Sequence, residues 1–285
     1  MSTRIVSVVN MKGGVGKSTS VSCLAEALAA ENGLRVLVAD LDPQSNVSMM
    51  LGGPDRWAEL RESERTLEHY FQQFVYGGEP RRFSEFISSK VSDLTGDPVV
   101  DLIVATPEFR YVERDALVKF IKQGFDISAV QKRLARITAS AVESVANAYD
   151  LVLFDCPPGI SLFAEAAIEM SEFVIIPTIP DYVSRLGIVA FRKRAVKAME
   201  QRRFTEDRIY TLITKYDANL MLHESEVELL RANFQTFETV IPQHEQIARA
   251  GEWSEEPRSL DMKYGEAADV IRRFAAEFQE RVGLM

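Results

Sequence analysis

Asn10-Met11-Lys12-Gly13-Gly14-Val15-Gly16-Lys17-Ser18-Thr19 is the stretch that decides the fold. An apolar run, Ile5-Val6-Ser7-Val8-Val9, precedes it, and a helical pattern over residues 20–30 follows. A strand, a glycine-rich turn and a helix start form the context that a phosphate-binding loop requires. Glycines at 13, 14 and 16 let backbone N–H groups curl around phosphate oxygens with no Cβ in the way. The helix then points the positive end of its dipole at the same oxygens. On this reading Gly13, Gly14, Val15, Gly16, Lys17, Ser18 and Thr19 bind the nucleotide phosphates. Lys17 reaches the β- and γ-phosphates, and the Ser18 hydroxyl is a ligand of Mg²⁺.

The ordinary pattern, G-x-x-x-x-G-K-S/T, puts glycine where this chain has Met11, and a second lysine, Lys12, stands before the glycine pair. The string therefore resembles the deviant Walker A motif, K-G-G-x-G-K-S/T, of the ParA/MinD family of dimeric ATPases. The resemblance implies that Lys12, with Lys17, acts catalytically by crossing an ATP-sandwich homodimer to the partner's phosphates.

Outward from that loop, Gly33 is placed to end the first helix, and residues 34–39 read as a buried strand closing on Asp40-Leu41-Asp42-Pro43-Gln44. Alone, this acidic pair reads as well as a solvated turn with a capping Asp. Beside a phosphate loop, at the carboxyl end of a parallel strand, it sits where open α/β sheets bind ligands. It resembles the family's D-x-D-P-Q element, which implies a metal-side role for Asp40 and a water-orienting, catalytic role for Asp42. Leu151-Val152-Leu153-Phe154-Asp155 is a second apolar strand ending in a carboxylate, the Walker B pattern, with Asp155 on the Mg²⁺ side. Cys156-Pro157-Pro158-Gly159 after it resembles the family's switch segment.

Further strands are expected at 99–104, 173–177 and 209–214, with helices at about 110–122 and 127–148 between them. Strands alternating with helices predict an α/β fold with a mostly parallel central sheet flanked by helices, and the resemblance implies that it is a P-loop NTPase of the deviant Walker A type. A single domain over 1–285 is expected, with a helical elaboration at about 46–98 that includes helices at 67–75 and 83–91. Thr214-Lys215-Tyr216-Asp217 follows the last strand, where related GTPases read guanine. Because the other strings match ParA, Thr214, Asp217 and the later Pro242 are expected around adenine, with ATP and Mg²⁺ as cofactors. Guanine stays the alternative on this string alone.

The net charge is −9, from 33 basic and 42 acidic residues, which argues against wholesale nucleic-acid coating but not against a local patch. Such a patch lies at 182–203, read as one long helix carrying Arg185, Arg192, Lys193, Arg194, Lys197, Arg202 and Arg203. By itself the segment reads equally as a solvated face or as a DNA surface. The family resemblance implies the second: sequence-independent DNA binding by the ATP-bound dimer, and partitioning of plasmid or chromosome with a ParB-like protein that stimulates slow hydrolysis. Positioning of a protein cargo is the alternative. The terminal helix, at about 263–282, reads as a docked core helix and not as a membrane anchor. Cys23 and Cys156, far apart, read as buried residues without a metal or disulfide role. No signal peptide precedes the first strand and no apolar stretch approaches the ~18 residues of a membrane span. The expected location is the cytoplasm, on the nucleoid when ATP is bound.

Overall fold

A computed structural model describes residues 3–199 and 206–284 of the chain. In chain order the elements are β1 (Arg4–Val8), α1 (Lys17–Asn32), β2 (Val36–Asp40), α2 (Asn46–Glu62), α3 (Leu67–Tyr76), β3 (Val100–Ile103), α4 (Phe109–Lys122), α5 (Ile127–Ala146) and β4 (Leu151–Asp155). They continue with α6 (Leu162–Met170), β5 (Phe173–Thr178), α7 (Tyr182–Met199), β6 (Ile209–Ile213), α8 (Met221–Asn233), α9 (Glu245–Arg249), α10 (Leu260–Tyr264) and α11 (Ala268–Val282).

The strands form one six-stranded sheet in the order β3-β2-β4-β1-β5-β6, every pairing parallel. Strands buried on both faces must be apolar almost throughout, which is why they are near-continuous Val/Leu/Ile runs. Alternate side chains feed two cores. Val36, Val38, Leu151 and Leu153 pack with α1 and α11 on one face. Leu37, Ala39, Val152 and Phe154 pack with α3 to α8 on the other, around the rings of Phe71, Phe109 and Phe163. Phe274 and Phe278 of α11 are fully buried, as a docked helix requires. Among the described residues no helix is long and apolar enough to cross a membrane.

Two expectations are corrected. Residues 83–91 do not form a helix: after one 3-10 turn at Phe83–Phe86 the chain runs extended beside β3. Ser88 and Leu102 exchange backbone hydrogen bonds at 2.8 Å, and Val91 donates to Val100 O. The apolar spacing there is helical, but the open edge of β3 offers unpaired carbonyls and amides, and pairing with them wins. The terminal helix is broken at Gly265 (φ +52°), where a Cβ would meet the Gln246 side chain at 2.4 Å, so α10 and α11 are separate. The helix expected to reach 203 is described to Met199, and Arg202 and Arg203 lie outside the described residues.

Candidate nucleotide site

The sheet order sets the site. β1 lies between β4 and β5, and β2 lies beyond β4, so the carboxyl ends of β1, β2 and β4 open on one rim. The registers pair Val8 with Asp155 and Asp40 with Asp155 directly. Strand ends thus bring the glycine loop and both acidic strings together, where a parallel sheet binds ligands.

The chain leaves β1 into the glycine loop, and Gly16 (φ +83°) caps α1 so that Lys17 is its first helical residue. The Thr214 hydroxyl donates to Val15 O at 2.8 Å and braces the loop from β6. A cavity of about 440 Å³ opens above it. It is lined by Gly13, Gly14, Gly16, Lys17, Ser18 and Thr19, by Asp42, Gln44 and Pro158, and by Asn46, Met49, Met50, Lys215 and Gly251.

The electrostatics are lopsided. Asp40, Asp42 and Asp155 are all buried around one buried cation, Lys17. Burial pushes the Asp155 carboxyl up to about 7, against the pull of the Ser18 hydroxyl and Lys17. Neither Asp155 oxygen has a hydrogen-bond partner of good geometry, although both are fully enclosed. Burial also holds Asp40 well above the usual carboxylate range, and the neighbouring Asp155 charge adds to it. Lys17 is held below the ordinary lysine value by burial, partly offset by Asp155 and Asp42.

The carboxylates differ in what they already hold. Asp40 accepts from Ser48 N and Oγ, at 3.1 and 2.6 Å, and from Asp42 N at 2.9 Å, so its oxygens mainly fix the loop. Asp42 accepts only from Gln44 N, at 2.9 Å, and faces the cavity. Asp155 accepts no hydrogen bond of good geometry from any described residue, with the Ser18 hydroxyl acting on it more loosely. An enclosed carboxylate without a partner, beside Ser18 and Lys17 in a cradle of amides, is the donor set that a phosphate-bound hard cation fits.

Other expected residues fall elsewhere. Lys12 lies outside the cavity wall, its Nζ donating to Asp181 Oδ2 and Ser184 Oγ at 3.0 Å each. Asp217 turns its carboxylate onto Asn219, accepting from its backbone N and side-chain Nδ2. Pro242 lines a neighbouring groove with Tyr216 and His244. Of the expected DNA contacts, Arg192 is corrected outright: it is 5% exposed, bonds Glu206 and Ile209 O, and lies over Phe234. Arg185 is tied to Glu226 at 2.7 Å and Arg194 to Glu165 at 2.6 Å, while Lys193 and Lys197 stand exposed. Both cysteines are buried free thiols; burial pushes Cys23 up to about 12 and Cys156 well above its usual value.

A family model described as an AAA domain matches residues 3–209. The chain belongs to this family, as a ParA/MinD-type ATPase. The chromosome-partitioning ATPase Soj of Thermus thermophilus is 29% identical to it over 282 residues, 98% of this chain and 96% of that protein. A plasmid partition protein from Borrelia burgdorferi bound to AMPPNP superposes with a TM-score of 0.72 at 19% identity, covering 98% of this chain and 99% of that one. An ATP complex of Cyanothece McdA gives 0.74 at 16% identity, with 100% and 98% covered. The two structures show that the ATPase shares their fold. Reading the sequence missed Asn46, Met49, Met50 and Gly251 at the cavity. Asn46 follows the Asp-Pro-Gln string directly and was within reach, whereas Gly251 arrives from about 200 residues away with no local signature.

Proposed function

We propose that this ATPase is an ATP- and Mg²⁺-dependent dimer switch that partitions plasmid or chromosomal DNA. The observation that carries the reading is the enclosed, unpartnered Asp155 carboxylate facing Ser18 and Lys17 across a glycine cradle. One buried lysine cannot by itself balance a triphosphate beside Asp40, Asp42 and Asp155, and a cation bound with the nucleotide would supply the missing positive charge and favour the ionised form of the buried carboxyls. Asp155 and Ser18 would hold that ion, with Asp40 positioning the loop beside them. A bound Mg²⁺ would supply charge neutralisation to the phosphates. Gly13, Gly14, Val15, Gly16 and Thr19 line the phosphates with backbone N–H groups, and Lys17 adds charge at the transferred phosphoryl. Asp42, with one oxygen free and facing the cavity, orients the attacking water. Thr214 braces the loop. Asp217 and Pro242 would act on the base only from its periphery.

The dimer reading is supported by the surface around Lys12. Met11, Tyr182, Val183, Leu186, Leu220 and Met221 are all exposed, Met221 by 86%. They are linked through Lys12–Asp181 and Arg185–Glu226 into one face beside the nucleotide. Apolar side chains exposed to water near the cavity support an interface there, which a second copy would cover while receiving Lys12. DNA binding would fall to the exposed cations of α7, Lys193, Arg194 and Lys197, and a ParB-like protein would accelerate a slow hydrolysis. The dimer would work in the cytoplasm, on the nucleoid when ATP is bound. The likeness to McdA favours one second reading, a cargo other than DNA on the same switch.

Dimer formation with ATP, followed by light scattering, and phosphate release test the core of this reading. Lys17→Ala should abolish both. Asp42→Ala should dimerise but hydrolyse at least about 100-fold more slowly, the range of a lost general base. Hydrolysis by Lys17→Ala at the wild-type rate would refute the site.

A further inference from the structure

With Arg185 and Arg192 held by Glu226 and Glu206, α7 presents few free cations, and further basic groups stand on a nearby helix. α5, separated from α7 by α6, carries Lys132, Arg133 and Arg136. A groove of about 620 Å³ runs between the three helices. Lys132 forms one rim, and Lys193, Arg194 and Lys197 form the other. A second depression, of about 270 Å³, shares Ser128 and Lys132 with it and extends along α5 to Arg136.

The charges are available. Lys132, Arg136, Lys193 and Lys197 are exposed, and among the described residues none has a carboxylate within ion-pair distance. The acids nearby are largely committed. Asp126 caps α5 by accepting from Ala129 N at 2.7 Å. Glu165 accepts from Arg194 at 2.6 Å and from Gln131 at 2.9 Å. Glu169 remains, half-buried in the groove wall. Ala135, Ala166, Ala190 and Ala198 keep parts of the groove wall low, with Gln131, Leu162, Glu165 and Glu169 lining the rest between the two sets of cations. In a chain of net charge −9, unpaired cations gathered on two helices around an open groove are a surface for a polyanion.

We infer that the groove between α5 and α7 seats a DNA backbone, with Lys132 and Arg136 as phosphate contacts on the α5 wall opposite Lys193 and Lys197. The inference rests on the DNA-binding reading above and adds a second wall to it. Contacts of this kind carry no base preference; they fix affinity and its salt dependence.

The test is anisotropy of a labelled mixed-sequence duplex with the full-length ATP-bound protein, across a salt series. Each phosphate contact contributes about 0.9 to the slope of log K against log salt. Lys132→Gln/Arg136→Gln should therefore lower the slope by about 1.8 per groove engaged. Between about 50 and 200 mM salt that is roughly a twelve-fold smaller loss of affinity. Lys132→Arg/Arg136→Lys, which keeps both charges, should retain the wild-type slope, and an unchanged melting temperature reports an intact fold. If the Gln pair keeps the wild-type slope while Lys193→Gln/Lys197→Gln loses it, the α5 wall is wrong and the α7 surface stands. If the wild-type protein binds no duplex in any nucleotide state, the DNA reading and this inference fall together. If poly-glutamate displaces the duplex as well as unlabelled DNA does, and does so only with Lys132 and Arg136 present, the groove belongs to an acidic protein instead.

Discussion

Asp155→Asn should make the ligand-free protein more stable while destroying its activity. The carboxyl sits at 0% exposure without a hydrogen-bond partner, and burial pushes it up to about 7 from an ordinary 3.8. A rise of three units, at about 1.4 kcal/mol each, is a penalty of about 4 kcal/mol for holding the charged form in the fold. The folded-state value lies above the unfolded one, so the fold binds the proton more tightly. The penalty is therefore absent in acid, grows as pH climbs from about 4 to 7, and is constant above that. An asparagine carries none of it. In urea unfolding without nucleotide, the variant should exceed wild type by about 2–4 kcal/mol at pH 8, the lower end allowing for an amide NH₂ without an acceptor. The gain should shrink to about 2 kcal/mol or less near pH 5 and below about 1 kcal/mol near pH 4. Saturating ATP with Mg²⁺ should reverse the order, since ligand at 100 times its Kd adds about 2.7 kcal/mol to a protein that binds it. A variant no more stable than wild type at pH 8 without ligand would refute the reasoning.

Lys263 is fully buried between Glu26 and Asp93, with both contacts at 2.6 Å, while Tyr264 donates to Glu26 and Arg258 pairs with Asp93. Lys263→Met should cost about 3–5 kcal/mol in urea unfolding, because two carboxylates lose the cation between them. Adding Glu26→Gln should cost less than it does alone, and strict additivity would show that the cluster does not act as a unit. Lys12 is restrained in its own chain by Asp181, an ion pair of 3.0 Å with side chains 43% and 27% exposed. A pair that exposed is worth about 0.2–1 kcal/mol, so Asp181→Asn should lower the ATP concentration for half-dimerisation by up to about five-fold. A higher concentration would mean that Asp181 assists the dimer instead of competing with it.

The parts legible in sequence are those in which neighbouring residues impose the geometry. The turn from β1 into α1 is set by Gly14 and Gly16 at positive φ, and the acidic strings close β2 and β4, each a run of apolar residues ending in Asp. Parallel pairing then brings Asp40 and Asp155 together with no further information. What escaped depends on partners far along the chain. Arg192 reads as one more surface cation until Phe234 and Ile209 arrive around it. α2 was hidden by Gly52-Gly53-Pro54, ordinarily a break. Here Gly53 takes φ +74°, kinking the helix under the ring of Trp253, which a Cβ would meet at 2.6 Å. Asp217 is different, because its bond to Asn219 is local, and an Asx turn is a pattern that sequence offers.

The proposed switch would need a route from the phosphate end of the site to the face where a second copy would dock, and the hydrogen bonds of Asn10 would supply a continuous one. Gly159, in the turn after Asp155, donates its N–H to Asn10 O at 3.3 Å. The Asn10 amide donates to Pro177 O at the end of β5, at 2.6 Å, and its Oδ1 accepts from Lys12 N at 3.0 Å. Lys12 then reaches Asp181, which caps α7 by accepting from Ser184 N at 2.7 Å. Asn10 is buried, so its side chain has no water to fall back on, and a turn that moves with Pro157 and Pro158 must either carry Asn10 with it or break a bond. The rigidity of that turn is what makes the first outcome the cheaper one. Charge arriving beside Asp155 would therefore be felt at Lys12 and at the start of α7, the elements that the second copy would meet, without any rearrangement of the sheet.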